Sequence, residues 1–207
     1  MHRAASIRAQ SAPLAPPADM GPREFRRCLG RFGTGVTVVT YQTDDGPRGA
    51  TVNSFSSVSI DPPLVLVCLA RKAQICAGLE DRPFAVNVLR SDQMDIAFQF
   101  AGRSMPGRAL SWEIANHGEG VPVLADSVAL LVCEPWRRYD GGDHVLQLGE
   151  VVGAEARAGE PLLFSDGRFM SSGLPLLDGP LVDNLDGPPI PKWIGAARRI
   201  SFHTEVL

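Results

Sequence analysis

Residues 49–69 read GATVNSFSSVSIDPPLVLVCL and carry the strongest structural pattern in the chain. Small and hydroxyl-bearing residues fill the first half, and apolar, partly β-branched residues fill the second half, as is typical of strands. The step Asp61-Pro62-Pro63 between the halves is typical of a turn. The sequence therefore predicts one strand within residues 50–59 and a second over residues 64–69. Because the second is apolar on both faces, we expect it to lie centrally in the fold.

A regular pleat would gather polar side chains on one face of the first strand. That face would carry Thr51, Asn53, Ser57 and Ser59, and the opposite face would carry Ser54 and Val58. So many hydroxyls beside an amide suit a planar ligand with carbonyls and ring nitrogens along one edge, because short side chains and backbone N–H groups can approach it closely. An edge strand with a solvent-facing polar side explains the pattern equally well from the residues alone.

Short strands dominate the rest of the predicted secondary structure. They span residues 36–41, 84–89, 128–133 and 145–152, and helices are expected over residues 22–32, 73–79 and 91–100. Antiparallel strands with a few peripheral helices favour a mostly β fold of the barrel type over a doubly wound α/β fold.

Bulk properties indicate an ordinary globular chain. The 207 residues carry a net charge of −3, which argues against a nucleic-acid partner, and no run of about 20 apolar residues suggests a membrane span. The four cysteines, Cys28, Cys68, Cys76 and Cys133, are far apart and are expected to be buried free thiols in a reducing compartment, which favours a cytoplasmic location. The four histidines lack metal-ligand spacing, so no metal site is expected.

The two ends of the chain differ in composition from its middle. Residues 1–20 contain six Ala and three Pro without apolar periodicity and are predicted to form a disordered N-terminal arm. Residues 174–207 contain five prolines interleaved with apolar residues and are predicted to form an extended proline-rich tail on a surface. The domain itself is expected to span residues 21–173.

Residues 49–63 resemble the signature of the short-chain flavin reductase family, the reductase components of two-component flavin monooxygenases. The resemblance extends in order over about residues 22–173. It includes Arg26, Phe32-Gly33-Thr34-Gly35-Val36, residues 84–89, residues 93–100, Gly142-Asp143-His144 and Gly149-Glu150-Val151. It implies a split β-barrel (an FMN-binding, Greek-key-like antiparallel barrel) that forms a homodimer, with the flavin near the subunit interface.

The resemblance also implies roles for individual residues. The isoalloxazine ring and ribityl chain would be lined by Thr51, Asn53, Ser54, Ser57, Val58 and Ser59. Arg71, Lys72 and Ala73 would hold the flavin phosphate, for which a guanidinium and an ammonium group are suitable partners. His144 would act catalytically beside the nicotinamide, with Asp143 fixing the loop or the imidazole tautomer. Without the resemblance, the more common interpretation is that Arg71 and Lys72 are solvated surface cations and that His144 is a partly exposed histidine in a hairpin turn.

The implied function is that of an NAD(P)H:flavin oxidoreductase. It would use NADH or NADPH to reduce FMN or FAD and would supply the product to a flavin-dependent monooxygenase. Two alternatives remain: a flavin-bound tailoring oxidoreductase that acts on an organic substrate, and a non-catalytic flavin-binding module. The chain departs from the family at Phe169, where a Tyr is usual, and in the tail after Gly173.

Overall fold

The structure, a computed structural model, describes residues 21–103, 110–116 and 120–173, and the backbone of residues 202–203. The helices in this part of the chain are α1 (Pro22–Leu29), α2 (Gln74–Gly78) and α3 (Met94–Phe100). The strands are β1 (Thr34–Gly35), β2 (Thr37–Thr43), β3 (Gly46–Val52), β4 (Ser56–Ile60), β5 (Pro63–Ala70), β6 (Phe84–Val88), β7 (Trp112–Ala115), β8 (Val121–Leu124), β9 (Ala129–Gly141), β10 (His144–Ala156), β11 (Leu163–Ser165), β12 (Arg168–Met170) and β13 (Phe202–His203).

An antiparallel sheet of seven strands, in the order β3-β2-β6-β9-β10-β5-β4, forms the body of the domain. Its strands β2, β5, β6 and β9 are rich in Val and Leu, and one core cluster packs between the sheet and α2. Two three-stranded sheets, β1-β11-β12 and β13-β7-β8, complete the described structure. Short turns join β2 to β3, β4 to β5 and β9 to β10, as is typical of antiparallel hairpins, and longer connections join the other neighbours in the sheet.

The connection between β3 and β4 shows how the large sheet is shaped. These strands lie at opposite edges of the sheet, yet only residues 53–55 join them. Such a connection reaches at most about 14 Å, whereas seven strands laid flat would span about 29 Å. The sheet must therefore curl until its two edges come close together. This confirms the predicted mostly β split barrel with a few peripheral helices.

The prediction of a single strand over residues 50–59 is wrong. The first strand ends at Val52, the chain leaves the ladder at residues 53–55, and β4 starts at Ser56. A bulge then leaves Val58 without a partner, since Ser57 pairs with Val65 and Ser59 with Leu64. Two interruptions break the regular pleat, so the predicted division of polar residues between two faces does not apply.

Strand β5 lies next to the edge strand β4 instead of in the centre of the sheet. Its Val65, Val67 and Leu69 are buried, while the alternate residues Leu64 and Leu66 are only half-buried in the single chain. The prediction that this strand lies centrally is therefore wrong for the described sheet.

Several smaller expectations also change. Helix α1 ends at Leu29 and has no buried residue, and α3 begins at Met94 instead of residue 91. All four cysteines are free, but Cys28 is exposed. No helix in the described ranges has the length and apolar character to cross a bilayer. The predicted arm (1–20) and most of the predicted tail (174–201 and 204–207) lie outside the described residues, so the domain boundaries stay predictions.

Candidate functional site

A cavity of about 240 Å³ lies in the gap between the two edges of the curled sheet, and we call it the split cavity. Strands β3 and β5 supply most of its wall, and β10 contributes its first residue. Five of the residues predicted for the site line it together. They are Thr51, Asn53, Ser54, Ala73 and His144.

Ser54 fastens the two edges of the gap to each other. Its hydroxyl donates a hydrogen bond to the backbone oxygen of Cys68 (3.1 Å) and accepts one from the backbone N–H of the same residue (3.0 Å). Strand β4 does not extend along β5 as far as Cys68, because its first residue, Ser56, pairs with Leu66. The serine side chain therefore replaces a ladder partner for β5.

The hydroxyl of Thr51 is also used by the fold. It donates to the backbone oxygen of Ala97 in α3 at 2.7 Å, which ties the helix to β3. Asn53 differs from Thr51 and Ser54, since it is exposed and its amide has no hydrogen-bond partner among the described residues. Of these three polar side chains, Asn53 is the one whose full hydrogen-bonding capacity faces the cavity.

Ser57, Val58 and Ser59 do not line the split cavity; they lie on β4. Ser57 and Val58 are exposed and Ser59 is half-buried. Since β4 is an edge strand in the described sheet, one side of it carries backbone N–H and C=O groups without a strand partner.

Arg71, Lys72 and Ala73 form the turn between β5 and α2. Arg71 binds the hairpin between β9 and β10: its backbone N–H donates to Asp143 O (3.0 Å), its Nε to Gly142 O (2.7 Å), and its guanidinium pairs with Asp140. Lys72 is exposed and forms no ion pair within the described residues. The two predicted cations thus differ, because one holds the hairpin and the other is available to an anion.

His144 stands at the start of β10, opposite Ala70 of β5, and its half-exposed side chain reaches the split cavity. Its Nδ1 contacts Oδ1 of Asp143 at 2.7 Å. The hydrogen bond and the charge of the imidazole lower the pKa of the Asp143 carboxyl. Because Nδ1 is engaged, Nε2 is the ring nitrogen left for a ligand.

A second cavity of about 530 Å³ adjoins the first and shares Thr51 and Asn53 with it. Phe98, Phe164 and Phe169 line it, and Arg103 lies at the end of α3 beside it. We call it the aromatic cavity. Besides Thr51 and Asn53, only Phe169 of this cavity stood out in the sequence, because three phenylalanines from separate elements show no common spacing.

Comparisons with known proteins identify the family of the domain. The family model of the flavin reductase like domain matches residues 29–173. The NADH-dependent FMN reductase SmoA of Agrobacterium fabrum is 45% identical over 154 residues, which cover 74% of this chain and 87% of that protein. The reductase component of a 4-nitrophenol 4-monooxygenase/4-nitrocatechol 2-monooxygenase from Rhodococcus opacus is 39% identical over 148 residues, covering 70% and 78%.

A solved structure gives the corresponding result for the fold. The NADH:FAD oxidoreductase SgcE6 of Streptomyces globisporus, in complex with NAD and FAD fragments, aligns with a TM-score of 0.70 and 42% identity. The alignment covers 81% of this chain and all of that chain.

Proposed function

The chain belongs to the family of flavin reductase like domains, and we propose that it is an NAD(P)H:flavin oxidoreductase that supplies reduced FMN or FAD to a partner monooxygenase. The observation that carries this proposal is the split cavity, which gathers Asn53, Ala73 and His144 from three separate parts of the sequence. The names of its relatives, NADH-dependent flavin reductases and reductase components of monooxygenases, support the same activity and the same kind of partner.

The donors around the split fit a flavin. The amide of Asn53 and the unpaired backbone groups of β4 can bond to the carbonyls and ring nitrogens along one edge of an isoalloxazine. The hydroxyls of Ser57 and Ser59 stand on the same edge strand. A bound flavin would supply the two-electron redox chemistry that no side chain here offers, so the protein has to bind and orient both reactants.

We assign the flavin phosphate to the turn at residues 71–73. Lys72 supplies an ammonium group that has no ion-pair partner in the described part of the chain, and Arg71 holds the turn against the hairpin while adding positive charge. Because the Arg71–Asp140 pair is more than a third exposed, the pair is weak and can be exchanged for a phosphate contact.

His144 is the residue we assign to the nicotinamide. Asp143 holds Nδ1, which restrains the ring, and the side chain lines the cavity, so that Nε2 is the nitrogen available to the carboxamide of the nicotinamide. In this role the imidazole orients the donor, and no acid, base or nucleophile is required.

We further propose that the active form is a homodimer. The split cavity of one chain is below the roughly 300–1,000 Å³ typical of small-molecule sites, so a single subunit encloses only part of a flavin. Large apolar side chains are exposed on two elements: Phe25 (53%) and Leu29 (57%) on α1, and Val58 (48%) and Ile60 (40%) on β4. Such patches favour a protein partner, and we expect light scattering to give twice the 22.2 kDa of one chain.

The proposal also places the enzyme in the cytoplasm, where reduced nicotinamide is supplied and where the four free thiols stay reduced.

Steady-state oxidation of NADH and NADPH, measured with and without added FMN or FAD, tests the function. We expect oxidation that depends on free flavin and continues for many turnovers per protein. A His144→Ala variant should raise KM for the nicotinamide more than it lowers the affinity for flavin. Tightly bound flavin that NAD(P)H does not reduce without oxygen would favour the tailoring enzyme, and the absence of flavin binding would refute the assignment.

A further inference from the structure

Arg71 connects two parts of the site that the proposed function assigns to different reactants. The turn at residues 71–73 is assigned to the flavin phosphate, and β10 begins with His144, which is assigned to the nicotinamide. We propose that Arg71 is a positioning residue for His144: it holds the tip of the hairpin, residues 140–143, and thereby keeps the imidazole oriented for the nicotinamide. The inference rests on the proposed function and deepens it.

The contacts of Arg71 reach three of the four residues of the hairpin tip. Its backbone N–H donates to the backbone oxygen of Asp143 at 3.0 Å, and its Nε donates to that of Gly142 at 2.7 Å. Its Nη2 donates to Oδ2 of Asp140, whose Oδ1 accepts the backbone N–H of Gly142 at 2.9 Å. Two of the three contacts therefore depend on the guanidinium group and are lost when the side chain is removed.

The imidazole of His144 depends on this tip more than the backbone of His144 does. The backbone is held in the sheet, where His144 pairs with Ala70. The ring is held by Asp143, whose Oδ1 lies 2.7 Å from Nδ1. Residues 140–143 are exposed, and among the described residues Arg71 is the one outside the hairpin that forms hydrogen bonds with them. Loss of its side chain therefore frees Gly142, the neighbour of Asp143, and loosens the contact that orients the ring.

The guanidinium group of Arg71 can serve the hairpin and a flavin phosphate at the same time. Nε and Nη2 both donate to the hairpin, whereas Nη1 has no hydrogen-bond partner within the described ranges. Because a guanidinium group carries five N–H donors in a planar fork, a phosphate can bind at Nη1 while the two hairpin bonds remain. A role in positioning is thus compatible with the assignment of the phosphate to this turn, and an experiment has to separate the two.

Riboflavin as the acceptor separates them, because it has no phosphate. We expect Arg71→Ala to raise KM for NADH about three- to tenfold with riboflavin as well as with FMN. Loss of folded protein would lower kcat and leave KM unchanged, so the change in KM identifies positioning. The matched control is Arg137→Ala on the same hairpin, an exposed arginine whose guanidinium lies over Trp136, and it should leave KM unchanged. An unchanged KM with riboflavin in Arg71→Ala would confine Arg71 to the phosphate and overturn the inference.

A double substitution tests whether Arg71 acts through the imidazole. If it does, adding Arg71→Ala to His144→Ala should change KM for NADH by less than about twofold, because the group to be positioned is already absent. Additive effects of the two substitutions would overturn the inference. Arg71→Lys keeps the charge but not the planar edge that bonds to Gly142 and Asp140 together. It should retain most of the affinity for FMN and still show the raised KM; a normal KM would reduce the role of Arg71 to its charge and overturn the inference.

Carbon NMR of the Asp143 carboxyl examines the same contact without turnover. The hydrogen bond from His144 and the charge of its imidazole lower the pKa of this carboxyl. We expect this pKa to rise toward its ordinary value in Arg71→Lys, in which the positive charge at residue 71 is kept and the tip is loosened. An unchanged pKa would show that Arg71 does not hold the Asp143–His144 contact. If NADH is not oxidised with any flavin, the proposed function fails, and the NMR result still decides whether Arg71 positions His144.

Discussion

Removing the hydroxyl of Ser54 should lower the stability of the fold, because this hydroxyl links the two edges of the split barrel at the site. In Ser54→Ala the backbone N–H and C=O of Cys68 both lose their partner. Two hydrogen bonds at about 0.5–1.5 kcal/mol each give about 1–3 kcal/mol. Since Cys68 is only half-buried, water can form part of the hydrogen bonding that its backbone loses. We therefore expect the free energy of unfolding to fall by about 1–2 kcal/mol.

Urea and thermal unfolding followed by circular dichroism measure this effect. For a domain of this size the loss corresponds to a fall in Tm of about 2–8 °C. Ser56→Ala is the matched control: its hydroxyl is exposed and donates only to the oxygen of the next residue, at 3.3 Å, so its effect should stay within about 0.5 kcal/mol.

The same two variants test whether closure of the split prepares the site. Loss of the Ser54 link frees residues 53–55, so the dissociation constant for FMN should rise in Ser54→Ala and stay unchanged in Ser56→Ala. Equal stability of the two variants would show that the serine does not hold the edges together. Equal FMN affinity combined with unequal stability would show that closure does not prepare the site.

Three further predictions concern single positions. Gly149→Ala should lower the free energy of unfolding by about 1–3 kcal/mol in urea titrations, because the added Cβ would lie 2.5 Å from Cζ of the fully buried Phe84; an unchanged midpoint would contradict this packing. Lys72→Ala should weaken FMN about three- to tenfold and leave riboflavin, which lacks the phosphate, unaffected in fluorescence titrations; an equal loss for both ligands would place the phosphate elsewhere. The pKa of Asp143, followed by carbon NMR, should lie below the usual value of about 3.9 and return toward it in His144→Ala. Since folding lowers this pKa, the Asp143–His144 contact is intact at neutral pH and is lost as the pH falls through the lowered pKa; the same pKa in both proteins would exclude the imidazole as its cause.

Local sequence patterns predicted most elements but not their positions in the sheet. Strands β2 and β6 were recognisable from their runs of Val and other apolar residues, and Pro22 correctly marked the start of α1. The long hairpin of β9 and β10 was predicted too short. Its residues 134–141 include Trp136, Arg137 and Tyr139, which are exposed and follow no apolar alternation.

The break at residues 53–55 was missed for a different reason. No Gly or Pro marks it, and the residues on either side have strand propensity, so a local pattern continues straight through. The break is imposed by tertiary structure: the chain has to pass from one edge of a seven-stranded sheet to the other. Only the pairing of β3 with β2 and of β4 with β5 reveals it.

The hydroxyls of Thr51 and Ser54, which suggested a ligand in the sequence, are both used within the fold. Thr51 and Ser54 satisfy backbone groups of α3 and β5, so their hydroxyls close the fold around the cavity. The side chain of Asn53, which lies between them in the sequence, makes no such hydrogen bond in the described structure and lines the gap. The small side chain of Ser54 lets β3 and β5 approach while the backbone of Cys68 remains satisfied, and a larger side chain there would force them apart. Hence Ser54 helps to set the width of the gap, and in the proposed function the ligand contacts are assigned to the amide of Asn53, the edge strand β4 and the turn at Lys72.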